Sequence, residues 1–421
     1  MRLSTPAAPG TLAASVRSWL DERLAEGSYE VRRIPFSALE GWGFEPGTGD
    51  LRHADGRFFT VTGLRVTAEG RSWEQPIIDQ PEVGVLGLLV KDFGGEPHCL
   101  LQAKMEPGNA GTLQLSPTVQ ATRSNYTRAH RGRHVRHLEY FTGASPRDVL
   151  VDVAHSEHGT WFLGKHNRNM VVRVTGDVPA HPDFRWIPLR ALGELLRVDD
   201  LVNMDTRSVL SCLSPARHGE DGVAEIHGWL AGERARRSLR AERTPLADVR
   251  DWHWKPTEVR RADGRYFRVI AVDVRAGARE VTRWTQPLLA TPGLGVIAFL
   301  AHRAGGVLRL LVHARVEAGF ANTVQIGPTV QFRSGDRPPF ADLVLDAPPE
   351  RILYDGVQSE EGGRLYQSRS RYLIVETDPI DPPPGYRWLT PAQLGALVRR
   401  PGDVTVQART LLALVDLLGL S

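Results

Sequence analysis

At 421 residues the chain is long for one hydrophobic core and comfortable for two. Its 41% apolar and 24% charged residues are those of an ordinary globular protein, which excludes wholesale disorder. A formal net charge of +3 does not call for nucleic acid as a partner, but it suits an anionic small ligand. Two cysteines, Cys99 and Cys212, make no disulfide framework and fit a reducing compartment. The longest apolar runs, such as Val83–Val90, are strand-length, and the N-terminal segment carries no signal-peptide run. The expectation is a cytoplasmic protein with no membrane partner.

In chain order, Ser15–Leu24 has apolar residues at helical spacing. Strand-like runs follow at FFTVTGLRV, VGVLGLLV, HCLLQAKM, TLQLSPTVQAT and MVVRV, punctuated by glycine and proline. PLRALGELLR then reads as a closing helix. Next comes SPARHGEDGVAE (214–225), a polar, glycine-containing linker, and after it the pattern begins again.

The second pass repeats the first in diverged form, block by block. SWLDERLAEGSYEVRRIPFSALEGW, ending at Trp42, aligns with GWLAGERARRSLRAERTPLADVRDW, ending at Trp252. ADGRFFTV recurs as ADGRYFRV, and FRWIPLRALGELLR as YRWLTPAQLGALVR. LLQAKMEPGNAGTLQLSPTVQ (Leu100–Gln120) recurs between Leu310 and Gln331. Matches in constant order at nearly constant offset indicate one ancestral domain duplicated in tandem, with copies at 1–213 and 226–421. Strands outnumber helices in each, so the class is α+β, with a mostly antiparallel mixed sheet.

Strand alternation in HCLLQAKME puts Leu101, Ala103 and Met105 on one face, and Gln102, Lys104 and Glu106 on the other. The second copy sets His313, Arg315 and Glu317 on the matching polar face. The next run alternates Thr112, Gln114, Ser116, Thr118 and Gln120 with apolar residues, and its partner offers Thr323, Gln325, Thr329 and Gln331. The glycine turn EPGNAG between the two runs predicts a hairpin. Such a face usually meets water. Retention of the same amides, hydroxyls and carboxylate in both copies favours a polar ligand such as a sugar. The copies then diverge: ATRSNYTR in the first, with arginines suited to phosphate, against FRSGDRPP in the second.

No G-x-G-x-x-G or Walker A sequence supports a nicotinamide or P-loop site, and no cysteine pairs suit zinc. His130, His134 and His137 lie in an arginine-rich stretch that repels a cation. Trp19, Trp186, Trp229 and Trp388 read as packing residues. For Trp42 and Trp252, packing competes with stacking on a base.

The string LLQAKMEPGNAGTLQLSPTVQATRSNYTR, with SEHGTWFLGKHNRNMVV and SEEGGRLYQSRSRYLIV, resembles the NDP-hexose 2,3-dehydratase family across nearly the whole chain. The resemblance implies two tandem Nudix-like domains without a catalytic Nudix box, a homodimer, and no metal or other cofactor. It implies TDP-4-keto-6-deoxyglucose as substrate, in deoxysugar and antibiotic biosynthesis, with the product passing to a separate ketoreductase. In the first copy it points to Trp42, Arg123, Ser124, Asn125, Tyr126 and Thr127 as substrate-binding residues, beside the face carrying Gln102, Gln114, Thr118 and Gln120. In the second it points to Trp252, Arg315, Gln331 and Arg333.

For that reaction, a base at C3, donors for the C4 oxyanion and an acid at C2 suffice. Glu106 and Lys104 are candidates for the base and electrostatic roles, and Tyr126 and His166 for the acid. Two other functions are open to such a sequence. A nucleotide-sugar hydrolase would need a divalent metal, and a non-catalytic protein would bind TDP without turnover.

Overall fold

The computed structural model describes residues 11–122, 135–214, 222–277, 281–333 and 335–420. Each half contributes a large and a small β-sheet, flanked by short helices, with the same strand order in both halves. In the first half, the long strand Gly84–Phe93 sits inside a seven-stranded sheet. It is buried on both faces over most of its length, which is why GVLGLLV reads as one apolar run without alternation. It pairs parallel with His166–Arg173 and antiparallel with Glu96–Met105. The second half repeats this with Gly295–Ala304 between Arg369–Glu376 and Val307–Val316. The sheets are therefore mixed, antiparallel in most pairs.

The expected hairpin is present: Gln102 faces Ser116, and Lys104 faces Gln114. Its second run, however, does not alternate through to Gln120. Leu113–Ser116 pairs with Glu96–Met105, whereas Val119–Ala121 crosses to pair with Gly84–Phe93. Pro117 separates the two, so Leu115 and Val119 enter different apolar clusters.

The halves are interlocked. Strand Tyr29–Ile34 leaves the first half to pair with Arg268–Ala276 of the second. Leu239–Thr244 of the second half reciprocates on Thr60–Ala68 of the first. The turn of each hairpin also plugs into the opposite half. Gly108 donates its N–H to the Gly362 carbonyl and accepts from the Gln367 N–H, both at 2.7 Å. Gly319 does the same with Gly159 and Gly164.

At the centre, helix Met204–Ser211 packs on Val406–Leu417. Asn203 caps the first by accepting from the Thr206 N–H at 2.8 Å, and Thr405 caps the second. Every residue of Met204–Ser211 is buried, polar and apolar alike, so no face of it is given to solvent. From these helices Arg207 donates to the Ser359 carbonyl at 2.5 Å, and Arg409 to the Ser156 carbonyl at 3.0 Å. Each guanidinium thus closes on the other half.

This interlock makes the turn glycines essential. A Cβ on Gly108 would lie 1.8 Å from the Leu365 carbonyl oxygen, a backbone atom that cannot swing away. Gly108→Ala should cost about 3 kcal/mol of stability in urea unfolding. Gly43→Ala, where a Cβ meets nothing within 4 Å, should leave the midpoint unchanged.

Candidate active site

A cavity of about 980 Å³ opens against the polar face of the first-half hairpin. Its floor is Gln102, Lys104 and Glu106, with Gln120 and Asn167 beside them, as strand alternation predicts for the first three. One wall carries Trp42, His53, Phe58 and Phe59 from the small sheet. The opposite wall comes from the second half: Arg283 to Gln286, and the turn carrying Glu361, Gly363 and Arg364. Neither half alone encloses the space.

Glu106 is buried, 7% exposed, yet held by complementary groups. The Lys104 ammonium lies 3.3 Å from its Oε1, and the Gln120 amide donates to the same oxygen at 3.0 Å. Both contacts are those of a carboxylate. Glu361 is gripped by its own turn: Gly363 N–H donates at 2.8 Å, Arg364 N–H at 2.7 Å, and the Arg364 guanidinium at 2.7 Å. Gln80 accepts from Arg364 at 2.7 and 3.0 Å, fixing that side chain from the other half. Asp205, in the first turn of the central helix, also lines the cavity. Burial first, then the nearby Glu157, Glu361 and Glu106, push its carboxyl well above the usual range, and Lys104 works the other way. Lys165 donates to the Glu82 carbonyl, and burial pushes its ammonium down to about 8.

The aromatic wall is compact. The Trp42 ring centroid lies 4.9 Å from that of Phe59, 5.4 Å from His53 and 5.9 Å from Phe58. Trp42 therefore both packs and faces the cavity. Trp252 does not: it is buried, its indole N–H donates to the Glu74 carbonyl at 3.0 Å, and its ring packs on Phe267.

Other sequence-predicted residues sort by what their polar atoms already do. Thr118 touches the cavity, but its hydroxyl accepts from Leu89 N–H at 2.9 Å and donates to the Leu100 carbonyl. Thr329 makes the same two bonds in the second half. Gln114 is fully buried and accepts from Ser359 across the seam, as Gln325 accepts from Ser156. Retention of these residues in both copies therefore has a structural cause, not the ligand the sequence pattern favoured. The structure does not bring His166 to the cavity. Alternation aims Asn167 inward instead, and the His166 ring pairs with the Gly164 carbonyl at 2.7 Å. Arg123, Ser124, Asn125, Tyr126 and Thr127 lie outside the described residues; Thr122, just before them, lines the cavity.

The second-half counterpart has different chemistry. Arg315 and Glu317 pair at 2.7 Å, and the Gln331 amide donates to Glu317 at 3.3 Å, matching the trio in the first half. Around them the charges change. His158 stands where the first half uses Glu361, and it pairs with Glu360 at 3.0 Å. Gln407 replaces Asp205, and Ser368 replaces Lys165. Arg333 donates to Ser368 at 3.1 Å and to the Gly293 carbonyl at 3.1 Å, with its guanidinium over Trp161. The second-half residues Arg315, Gln331 and Arg333 are thus engaged with their own neighbours.

Sequence reasoning missed Asp205, Glu361, Arg364, Gln80 and Arg283. The signal available was the loss of charge symmetry between copies: Asp205 against Gln407, and Glu361 against His158.

Fold and site together describe two similar halves that enclose one polar cavity, with a carboxylate–ammonium pair on its floor. A family model for NDP-hexose 2,3-dehydratase matches residues 13–213 and again 223–415. A dTDP-4-dehydro-6-deoxy-alpha-D-glucopyranose 2,3-dehydratase of Amycolatopsis orientalis is 49% identical, covering 95% of this chain and 89% of that one. One of Saccharopolyspora spinosa is 50% identical over 94% and 89%, and one of Streptomyces violaceoruber 49% identical over 96% and 97%. Among solved structures, an ADP compounds hydrolase aligns with 37% of this chain and 85% of its own. Its TM-score of 0.23 and 14% identity fix neither fold nor function. The chain belongs to the NDP-hexose 2,3-dehydratase family.

If the first-half cleft alone carries the chemistry, Lys104→Met should lower kcat/KM by at least about 100-fold. Arg333→Ala, in the counterpart, should leave it within about threefold. Steady-state kinetics on the two variants checks this.

Proposed function

We propose that this protein removes water across C2–C3 of TDP-4-keto-6-deoxyglucose, giving the 3,4-diketo-2,6-dideoxy sugar. The observation that carries the reading is the Glu106–Lys104 pair, a carboxylate and an ammonium 3.3 Å apart on the floor of a cavity sized for a nucleotide sugar. The names of the relatives supply the substrate.

In this reading the base of the nucleotide lies along Trp42, His53, Phe58 and Phe59. Arg136 lines the cavity with no ion pair or hydrogen bond among the described residues, and it answers the diphosphate. The hexose reaches the floor, where Gln102, Gln120 and Asn167 supply amides to its hydroxyls. The 4-keto group acidifies the C3 proton. Glu106 takes that proton while Lys104 stabilises the charge growing on the C4 oxygen. The enolate then expels the C2 oxygen with a proton from an acid. No electron leaves or enters, so the elimination itself calls for no redox cofactor.

We further propose that the architecture arose by tandem duplication. Matching registers support it: Lys104 faces Gln114 as Arg315 faces Gln325, and Gly84 lies beside Asn167 as Gly295 lies beside Ser370.

Incubation of the purified protein with TDP-4-keto-6-deoxyglucose and a diamine trap, read by mass spectrometry, should yield the quinoxaline of a diketo sugar. Glu106→Gln should lower the rate by a factor of about 100 to 10,000 while TDP affinity changes little. Metal-dependent release of TMP, or tight TDP binding with unchanged substrate, would overturn the reading.

A further inference from the structure

We infer that Asp205 is the acid that protonates the departing C2 oxygen, and that Glu361, delivered from the second half, is the positioning residue that keeps it able to do so. This rests on the proposed 2,3-elimination and adds the acid that reaction lacks. The sequence reading offered Tyr126 and His166 for the role; His166 is not in the cavity, and Tyr126 lies outside the described residues.

The case starts from placement. Asp205 lines the same cavity as Glu106, yet its side chain is 3% exposed, and its Oδ1 has no hydrogen-bond partner among the described residues. A buried carboxylate without donors is expensive, whereas a neutral carboxyl is tolerated. The charges around it point the same way. Glu106 projects from the hairpin, Glu157 from the end of strand Val149–Ser156, and Glu361 from the second-half turn. Against these three stand Lys104, Arg364 and, from the partner helix, Arg409. Two of those cations are already engaged, Arg364 by Glu361 and Gln80, and Arg409 by three hydrogen-bond acceptors at 2.7 to 3.0 Å. Lys104 serves Glu106. Burial pushes the Glu361 carboxyl up as well, but Glu361 accepts from Gly363 and Arg364, whereas Asp205 Oδ1 accepts from none of the described residues, so the proton is assigned to Asp205. Glu106, with its two donors, is the ionised partner, so one cavity holds a base and an acid at neutral pH.

The second half supplies the comparison. At the equivalent helix position it has Gln407, also buried with an unpartnered side-chain oxygen. An amide fills the same space but cannot release a proton.

The step balances. Glu106 accepts the C3 proton, and the C3–H electron pair forms the enolate. That pair becomes the C2–C3 double bond as the C2–O bond breaks and the Asp205 proton joins the departing hydroxyl to give water. In the tautomerisation, the O3 proton returns to Asp205 and Glu106 gives its proton to C2, restoring both groups.

The test is Asp205→Asn in the full chain. Elimination should fall by about 100-fold or more. TDP affinity should stay within about twofold, and C3–H exchange with deuterated solvent should persist, because the base is intact. Glu106→Gln should lose exchange and elimination together. If Asp205→Asn eliminates at near the wild-type rate, or loses C3 exchange as well, the assignment fails. If wild type does not eliminate at all, it is the proposed function that fails. Should Asp205→Asn not fold, the wild-type pH profile decides. An acid with a raised pKa is active below it, so kcat should fall about tenfold per unit on the alkaline side. Glu361→Gln, which removes a like charge, should move that limb to lower pH by about one unit. A limb unmoved in Glu361→Gln, or one abolished by Tyr126→Phe, would overturn the proposal.

Discussion

Two guanidiniums that cannot reach water hold this molecule in its form. Arg207 and Arg409 are 0% and 1% exposed, and burial lowers Arg409 only to about 10. Each must find carbonyl oxygens, and the decisive carbonyl in each case belongs to the opposite half. Separating the halves would strand two charges and their acceptors together, so the interface is a condition of folding and not a later docking. The exchanged strands and the plugged glycine turns follow from the same commitment, because they are affordable only where the partner half is permanently present.

On that frame one scaffold presents two differently charged sets of side chains. Both halves keep the hairpin, the carboxylate that its glutamine and cation hold, and the threonine that ties two strands together. What differs is the charge brought to each from across the seam. The first-half cavity receives Glu361 and Arg364, whereas the corresponding space in the second half receives His158 and Trp161. There, Glu360 accepts from Ser370 at 2.7 Å as well as pairing with His158, so its charge is consumed locally. Because the supply is reciprocal, a single change of sequence in one half alters the other half's site. The difference in charge between the repeats rests on a few positions on two short turns and one helix.

How much of this is legible in the sequence depends on whether a residue acts within its own strand. Lys104 and Glu106 could be found because a strand shows its two faces at period two, and the hairpin could be expected from its glycine turn. Asp205 could not, because its helix is buried all round and shows no face. Glu361 could not, because nothing local tells a turn which half it will enter. Gln114 and Thr118 misled for a related reason: a polar residue kept in two copies is kept for whatever satisfies it, and here that is the backbone and the opposite half. The two tryptophans, alike in sequence, separate only in space, where Trp252 spends its N–H on Glu74 and Trp42 borders the cavity.

The position of the site at the seam has its own physical logic. Charged and amide side chains are costly in a core, and a domain buries them only where every partner can be supplied. A single sheet offers one polar face, which water would ordinarily cover. Closing a second polar face over it buries Glu106, Asp205 and Glu361, where each carboxyl depends on the donors supplied to it. The interface that interlocking demands is thus where the described residues bring Glu106, Asp205, Glu361 and Arg364 to one cavity. Loosening the interlock should erode that arrangement before it unfolds the chain.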